Sequence, residues 1–479
     1  MADNGKEATT LFGGALGVTS IVATVIATNG PLTGLIGVIP VTLIIGNGIG
    51  LPSVFVIVGM AYLLFSVGFT AMGRHVLNAG AFYAYVLTGI GRPAGVSAAF
   101  VAIVSYNAIQ LACYGMLGYF LSSSIHQWFG ATVSWWLCGI AALALIYLAS
   151  IRNIRVSGNL LIALLTCELL VIGAFDIAAL AHGGPAGYAL TPFAAARIFT
   201  PGLGPAIVFV VGSYMGFETT AIYAEEAKDP KRTIPLATYI SLVAIMAIYT
   251  VSTWTLIVAW GPDNVVGEAQ RDGGTLWYRM ANEIGGTLLS LAMSILMLTS
   301  LFAALLTFHN TTSRYIFALG RERILPGVLG SVSASQRTPA VASTLQALLI
   351  LVGLAGFAKG GADPMATLLP YTATFASIGL LAVQCATSLA VVLFFKTQPH
   401  VETVWVRVIA PFASAASLCI FIALEVRHLD LLTGLDTVSV ELIPYIILGV
   451  AAGGALYAFW LSKRRPERYK HLGRLLSEL

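Results

Sequence analysis

Charge is what this sequence has least of. Asp, Glu, Lys and Arg make up 10% of its 479 residues, against roughly 25% in an average soluble domain. Hydrophobic residues reach 58% and mean hydropathy is +0.87. A water-soluble globule this poor in charge could not cover its own surface, so lipid is the solvent that fits. Cysteine is scarce too. Cys113, Cys138, Cys167, Cys385 and Cys419 all lie in apolar stretches, and none forms a CxxC pair. They read as small buried hydrophobes, which excludes a disulfide framework and a zinc site. No Walker loop is present, so ATP does not drive the protein directly. No Ser-His-Asp set is suggested by local motif. No catalytic residue, metal or cofactor is therefore expected. The N-terminus has one cation, Lys6, and no small-residue cleavage site after a short apolar core. The first apolar stretch is expected to be retained rather than cleaved.

What fills the sequence instead is long apolar runs. A spanning helix needs about 20 apolar residues. On that scale the chain divides into spans at 14–46, 51–73, 95–122, 133–150, 157–181, 203–226, 235–260, 287–313, 339–358, 370–395, 404–425 and 440–462. The fold class expected is an all-α integral membrane protein with twelve transmembrane helices. Placing the N-terminus inside puts 20 of the 25 Lys and Arg on one side of that arrangement. Only Arg197, Arg271, Arg279, Lys359 and Arg427 fall on the other. Such an asymmetry follows the positive-inside rule. It predicts a multi-pass protein of the cell (inner or plasma) membrane with both termini cytoplasmic. Trp128, Trp135 and Trp136 flank an outer boundary, as interfacial anchors do. The basic tail from Lys463 to Arg474 reads as a cytoplasmic flank rather than a nucleic-acid patch. In the outer interval 261–286, Leu276, Trp277, Met280 and Ala281 suit a short helix, lying over the vestibule or in the interface.

Two spans are interrupted by Gly or Pro, the pattern that places a solute site at mid-membrane. The first is broken at Ala27-Thr28-Asn29-Gly30-Pro31. Pro31 suits the first position of a restarted helix. The restarted helix would present free N–H groups and a positive dipole end, suited to a carboxylate. A plain proline kink is the alternative. The second is span 6, where Gly212, Ser213, Tyr214, Gly216 and Phe217 lead to Glu218. An acid at the bilayer centre costs about 2.5–3.5 kcal/mol on insertion scales. A cationic solute, a proton or a fixed polar partner would each compensate. Glu168 is a second acid, in the middle of span 5, and a candidate proton carrier. A neutral acid bonding two helices is its structural alternative. Asp176 lies two turns further out. Asn107, Gln110 and Tyr114 share one face of span 3 beside Tyr106. Such a stripe either lines a cavity or glues helices together. Ser294, Thr299 and Ser300 in span 8 carry the same ambiguity, and Tyr371, Thr372 and Ser377 in span 10 are weaker candidates.

Three motifs resemble the amino acid–polyamine–organocation superfamily. Gly216-Phe217-Glu218 is followed by Glu225-Glu226-Ala227-Lys228-Asp229-Pro230-Lys231-Arg232-Thr233-Ile234-Pro235, like the family's sixth helix and its basic loop. Asn310 to Arg321 with Leu325-Pro326 is similar to its signature after helix 8, and Asn78 to Tyr85 to the start of its helix 3. The resemblance covers nearly the whole chain. It implies a five-plus-five inverted repeat with broken helices 1 and 6, plus two C-terminal helices. The corresponding divisions are 1–182, 183–396 and 397–479. It also implies a secondary transporter moving an amino acid by alternating access, with proton symport or exchange. A polyamine or amine carrier is the alternative, and a nutrient receptor without transport a remote one. The expected partners are an amino acid or amine, a proton and the lipid bilayer, with no nucleic acid. The implied site comprises Thr28, Asn29, Gly30, Asn107, Gln110, Ser213, Tyr214, Gly216, Phe217 and Glu218, with Glu168 and Glu218 as coupling residues. Glu218 falls on the family's helix-6 acid. Glu168 falls where some proton-coupled members carry a helix-5 lysine, so the sign of the charge is reversed. Gly212 falls where some exchangers carry a gating aromatic, with Tyr214 as its nearest substitute.

Overall fold

The computed structural model describes residues 14, 16–77, 80–151, 154–333, 338–397, 402–433 and 438–473. Asn78 and Ala79 of the helix-3 motif and the cations Lys6, Arg152, Arg337 and Arg474 lie outside the described residues. In lipid, backbone polar groups must be satisfied within the segment, which leaves the helix as the natural solution for these apolar runs. Among the described residues the regular structure is helical, apart from one isolated parallel bridge between Leu16 and Ala227.

The first span is divided into α1 (Val18–Asn29), α2 (Pro31–Thr33), a π turn at Gly34–Val38 and α3 (Ile39–Ile45). There follow α4 (Leu51–Gly73), α5 (Phe82–Gly89), α6 (Arg92–Phe129), α7 (Trp135–Ser150) and α8 (Ile154–His182). The second interrupted span comprises α10 (Leu203–Gly212) and α11 (Thr219–Ile222), after a short α9 (Ala195–Ile198). Then come α12 (Pro230–Trp260), α13 (Val265–Asp272), α14 (Leu276–Arg321), α15 (Ala340–Lys359) and α16 (Leu369–Thr397). The chain closes with α17 (Ala410–Arg427), α18 (Leu429–Thr433), α19 (Val438–Glu441), α20 (Ile443–Arg464) and α21 (Pro466–His471). Among the described residues ten helices are long and apolar enough to cross a membrane, and α7 and α10 are shorter apolar helices.

Local chemistry explains these elements. Pro52, Pro93, Pro230 and Pro444 sit in the first turns of α4, α6, α12 and α20, where a missing N–H costs nothing. Hydroxyls inside apolar helices bond to carbonyls four residues back, as Thr24 does to Ser20 at 2.8 Å and Thr70 to Ser66 at 2.7 Å. That satisfies them without leaving the helix. The interval 261–286 is helical, as its pattern suggested. Leu276 and Trp277 begin α14 and are fully buried, and α13 packs on α3. Gly286, with φ 73, kinks α14 before its apolar run.

The two ends of the bundle differ. At one, Leu16 N–H donates to the Glu226 carbonyl at 3.0 Å, and Lys228 N–H to the Leu16 carbonyl at 2.9 Å. Arg314 holds the Glu226 carboxylate through two bonds of 2.5 and 3.2 Å, with both side chains buried. Arg321 pairs with Glu225 at 2.5 Å beside it. This end is closed by charge-assisted bonds. The opposite end is formed by α3, α10, α13 and α18.

Candidate functional site

The first interruption is a true chain break in the helical sense. Gly30 adopts φ 51 and ψ 71, a left-handed conformation that a glycine takes without penalty. Its own N–H, expected to be free, donates back to the Ala27 carbonyl at 3.2 Å. Pro31 has no N–H. The first amide of the restarted helix is therefore Leu32, and it is already taken: it donates to Glu168 Oε1 of α8 at 2.6 Å. Ser300 Oγ of α14 donates to the same oxygen at 2.8 Å, and Thr33 Oγ1 donates to Ser300 Oγ at 3.2 Å. Glu168 thus clamps three helices at a helix start, where negative charge is favoured.

The second interruption is a run of turns from Ser213 to Glu218. Gly216 has φ 101. Its N–H donates to Glu218 Oε2 at 3.0 Å, while Tyr106 of α6 donates its hydroxyl to Oε1 at 3.1 Å. A Cβ on Gly216 would lie 2.5 Å from Thr28 Cγ2. The two breaks are therefore in direct contact, and each has a buried carboxylate on a freed amide.

Against them lies a cavity of about 520 Å³, within the range of small-molecule sites. Thr28 and Asn29 line it from the first break and Ser213 from the second, with Thr33 and Tyr249 adjoining. Asn29 Nδ2 donates to the Val25 carbonyl at 2.9 Å, and its Oδ1 has no partner. Gly212 also lines the cavity, and a side chain there would meet nothing within 4 Å. The remaining walls are mostly apolar, including Ile109, Met116, Val208, Phe209 and Phe308. The cavity reaches the surface on the α3 and α18 side, where its lining residues Val41 and Leu431 are 39% and 37% exposed. The basic-loop end stays shut.

Other expected residues are placed elsewhere. Tyr214 is turned away from the cavity: its hydroxyl donates to the Phe55 carbonyl at 2.5 Å and its ring stacks on Tyr62. It does not substitute for a gate at Gly212. Phe217 packs into the aromatic group of Tyr62 and Phe65. Gln110 donates to Thr312 Oγ1 at 3.0 Å, and Asn107 accepts from Gln346 at 3.0 Å. Both join helices, the glue alternative for that stripe. Gly30, Gly216 and Glu218 lie beside the cavity lining rather than in it. Asp176 accepts from Ser252 and Thr255 and ties α8 to α12.

One acid that sequence reading did not single out does line the cavity. Glu425 of α17 is 1% exposed and accepts a hydrogen bond from Ser377 of α16. Its only sequence signal was a carboxylate on the last residue of an apolar run. Among the described residues no group of His, Cys, Asp and Glu could hold a metal ion.

Comparison with known proteins supplies independent information. The family model described as amino acid permease matches residues 14–452. The chain is 24% identical to the branched-chain amino acid permease BcaP of Bacillus subtilis, over 84% of this chain and 86% of that one. It is 25% identical to the aspartate-proton symporter of Bacillus subtilis, over 59% of this chain and 56% of that protein. It is 29% identical to the vacuolar cationic amino acid transporter 4 of Arabidopsis thaliana, over 36% of this chain and 26% of that one.

Proposed function

Since the chain belongs to the amino acid permease family, within the amino acid–polyamine–organocation superfamily, we propose that it is a secondary transporter moving an amino acid by alternating access. Twelve spanning helices are counted in this reading, with α7 and the α10–α11 pair completing the ten long ones. Helices 1–5 and 6–10 form the inverted repeat, divided at 182 and 396, with two helices appended. Both termini are cytoplasmic. The open side of the cavity then faces outward and the Glu226–Arg314 closure faces inward.

The observation that carries the reading is the cavity at the contact of two interrupted helices. Half-helix ends beside a small-molecule cavity form a solute site without charged ligands. The substrate's charged groups lie against Thr28, Asn29 and Ser213 of the cavity wall, where Asn29 Oδ1 is an acceptor awaiting a donor. The apolar walls take the side chain, in keeping with the branched-chain relative. The proton-coupled relative supports coupling to protons. Glu168 is assigned the proton, because its bonds to Leu32 and Ser300 tie α2, α8 and α14 together. Glu218 is assigned to shaping the second break rather than to holding the amine.

The test is uptake of radiolabelled amino acids into proteoliposomes, with and without an imposed pH gradient. Saturable uptake of at least one amino acid, stimulated by the gradient or by internal substrate, is expected. Neither uptake nor counterflow of any amino acid would refute it. A carrier of simple amines is the second reading, favoured because among the described residues no Lys, Arg or His lines the cavity. Uptake of putrescine in preference to any amino acid would establish that reading instead.

A further inference from the structure

We propose that Glu425 anchors a cation subsite in the cavity wall, which takes the side-chain ammonium of a basic amino acid. The inference rests on reading the cavity as an amino acid site. Three buried membrane acids surround this region, and they are not equivalent. Glu168 and Glu218 each accept bonds from two donors on different residues. Neither lines the cavity. Glu425 does, together with Ser377 and Thr374 of α16. It is 1% exposed. Ser377 Oγ donates to its Oε1, and its Oε2 has no hydrogen-bond partner. It takes part in none of the ion pairs among the described residues.

A carboxylate buried in a membrane protein with an unsatisfied oxygen is costly, and such residues pair with a cation or mark a solute path. Here the described residues supply one hydroxyl and no ion-pair partner. The missing partner is a group with N–H donors and positive charge, delivered through the cavity. The walls suit the methylenes that would precede it: Ile109, Met116, Val208 and Phe209 are apolar. Thr28, Asn29 and Ser213 remain for the α-amino and carboxylate groups. A primary ammonium has three donors, enough to satisfy Oε2 and a neighbouring hydroxyl at once.

The test compares L-lysine with L-norleucine, which has the same carbon skeleton without the terminal amine. Affinities are read by counterflow competition on the full-length protein in proteoliposomes. Wild type is expected to prefer lysine by about tenfold or more, and Glu425→Gln to bring the ratio close to one; a tenfold ratio corresponds to about 1.4 kcal/mol. Ser377→Ala keeps the carboxylate and is expected to keep lysine preferred. Glu425→Asp keeps the charge and is expected to keep lysine preferred, which separates loss of the charge from loss of the fold. No preference for lysine in wild type, or a preference that survives Glu425→Gln, overturns the subsite while leaving amino acid transport intact. Failure of both compounds and of every other amino acid to exchange overturns the transport reading and the subsite with it.

Discussion

At the first break the acid comes from another helix; at the second it comes from the break itself. Glu168 is 136 residues away from the Leu32 amide it caps, whereas Glu218 is two residues from Gly216. The first arrangement binds α2, α8 and α14 to one carboxylate. The second fixes the shape of one turn and reaches out only to Tyr106 of α6. Loss of the acceptor at Glu168 therefore loosens contacts between helices, while loss of the acceptors at Glu218 deforms one segment locally. Inter-helix bonds are what the proposed alternating access would break and remake, which is why the proton is assigned to Glu168 in this proposal. There is a further asymmetry. Both donors to Glu168 use Oε1, but Glu218 receives one donor on each oxygen.

The largest expected effect lies where both breaks are shut together. Arg314→Ala leaves Glu226 buried and unpaired, and removing one partner of a buried pair costs about 3–5 kcal/mol. A large drop in thermal stability in nanodiscs is expected, with solvent access gained at both α1 and α11. A melt unchanged from wild type would show that the closed end does not hold the two breaks.

Next in size is the amide test. Alanine at Glu168 or Glu218 orphans two donors, at about 1–3 kcal/mol for each. Glutamine separates the two sites. One amide oxygen can replace Glu168 Oε1 for both its donors, so Glu168→Gln should melt near wild type. At Glu218 the amide oxygen can serve only one of the two donors: with it on the Gly216 N–H, the amide nitrogen meets the Tyr106 hydroxyl, which can turn to accept but then leaves its own O–H without the carboxylate. Glu218→Gln should remain destabilised by about 1–3 kcal/mol. Equal melts for the two glutamine variants would remove the distinction.

A smaller effect separates the glycines. Gly216→Ala combines a positive φ with a Cβ 2.5 Å from Thr28, and overpacking of this kind costs roughly 1–3 kcal/mol. Gly30→Ala meets Thr33 Oγ1 no closer than 3.1 Å and should cost about 1–2 kcal/mol, mostly from the left-handed backbone. The smallest is Tyr249→Phe, which loses one bond to the Asn29 carbonyl at 3.3 Å, worth about 0.5–1.5 kcal/mol. Thermal melts of the three variants in one lipid composition rank them.

Much of this comparison was legible before any coordinates. Hydropathy gave the long helices, because a span must be apolar over its whole length. Asn29-Gly30-Pro31 marked the first break through the left-handed glycine and the missing proline amide. The second was marked by its glycines, but regular helix stops at Gly212 rather than continuing to 226. What pattern could not supply was direction and partner. Tyr214 points to α4 because the turn at 213–218 abandons the helical repeat that would have aimed it. Gln110 and Asn107 meet Thr312 and Gln346, residues more than 200 positions later, which no local period encodes. Glu425 stood at the end of an apolar run, where an acid normally meets the headgroups. Its burial depends on α16 packing over it, a tertiary fact.

The most direct test loads proteoliposomes with a pH-sensitive dye and adds an amino acid that the protein exchanges. With wild type, external substrate should acidify the lumen. With Glu168→Gln, exchange of labelled substrate should persist and the acidification should vanish. Acidification that survives in Glu168→Gln would contradict the assignment of the proton to the clamp at the first break.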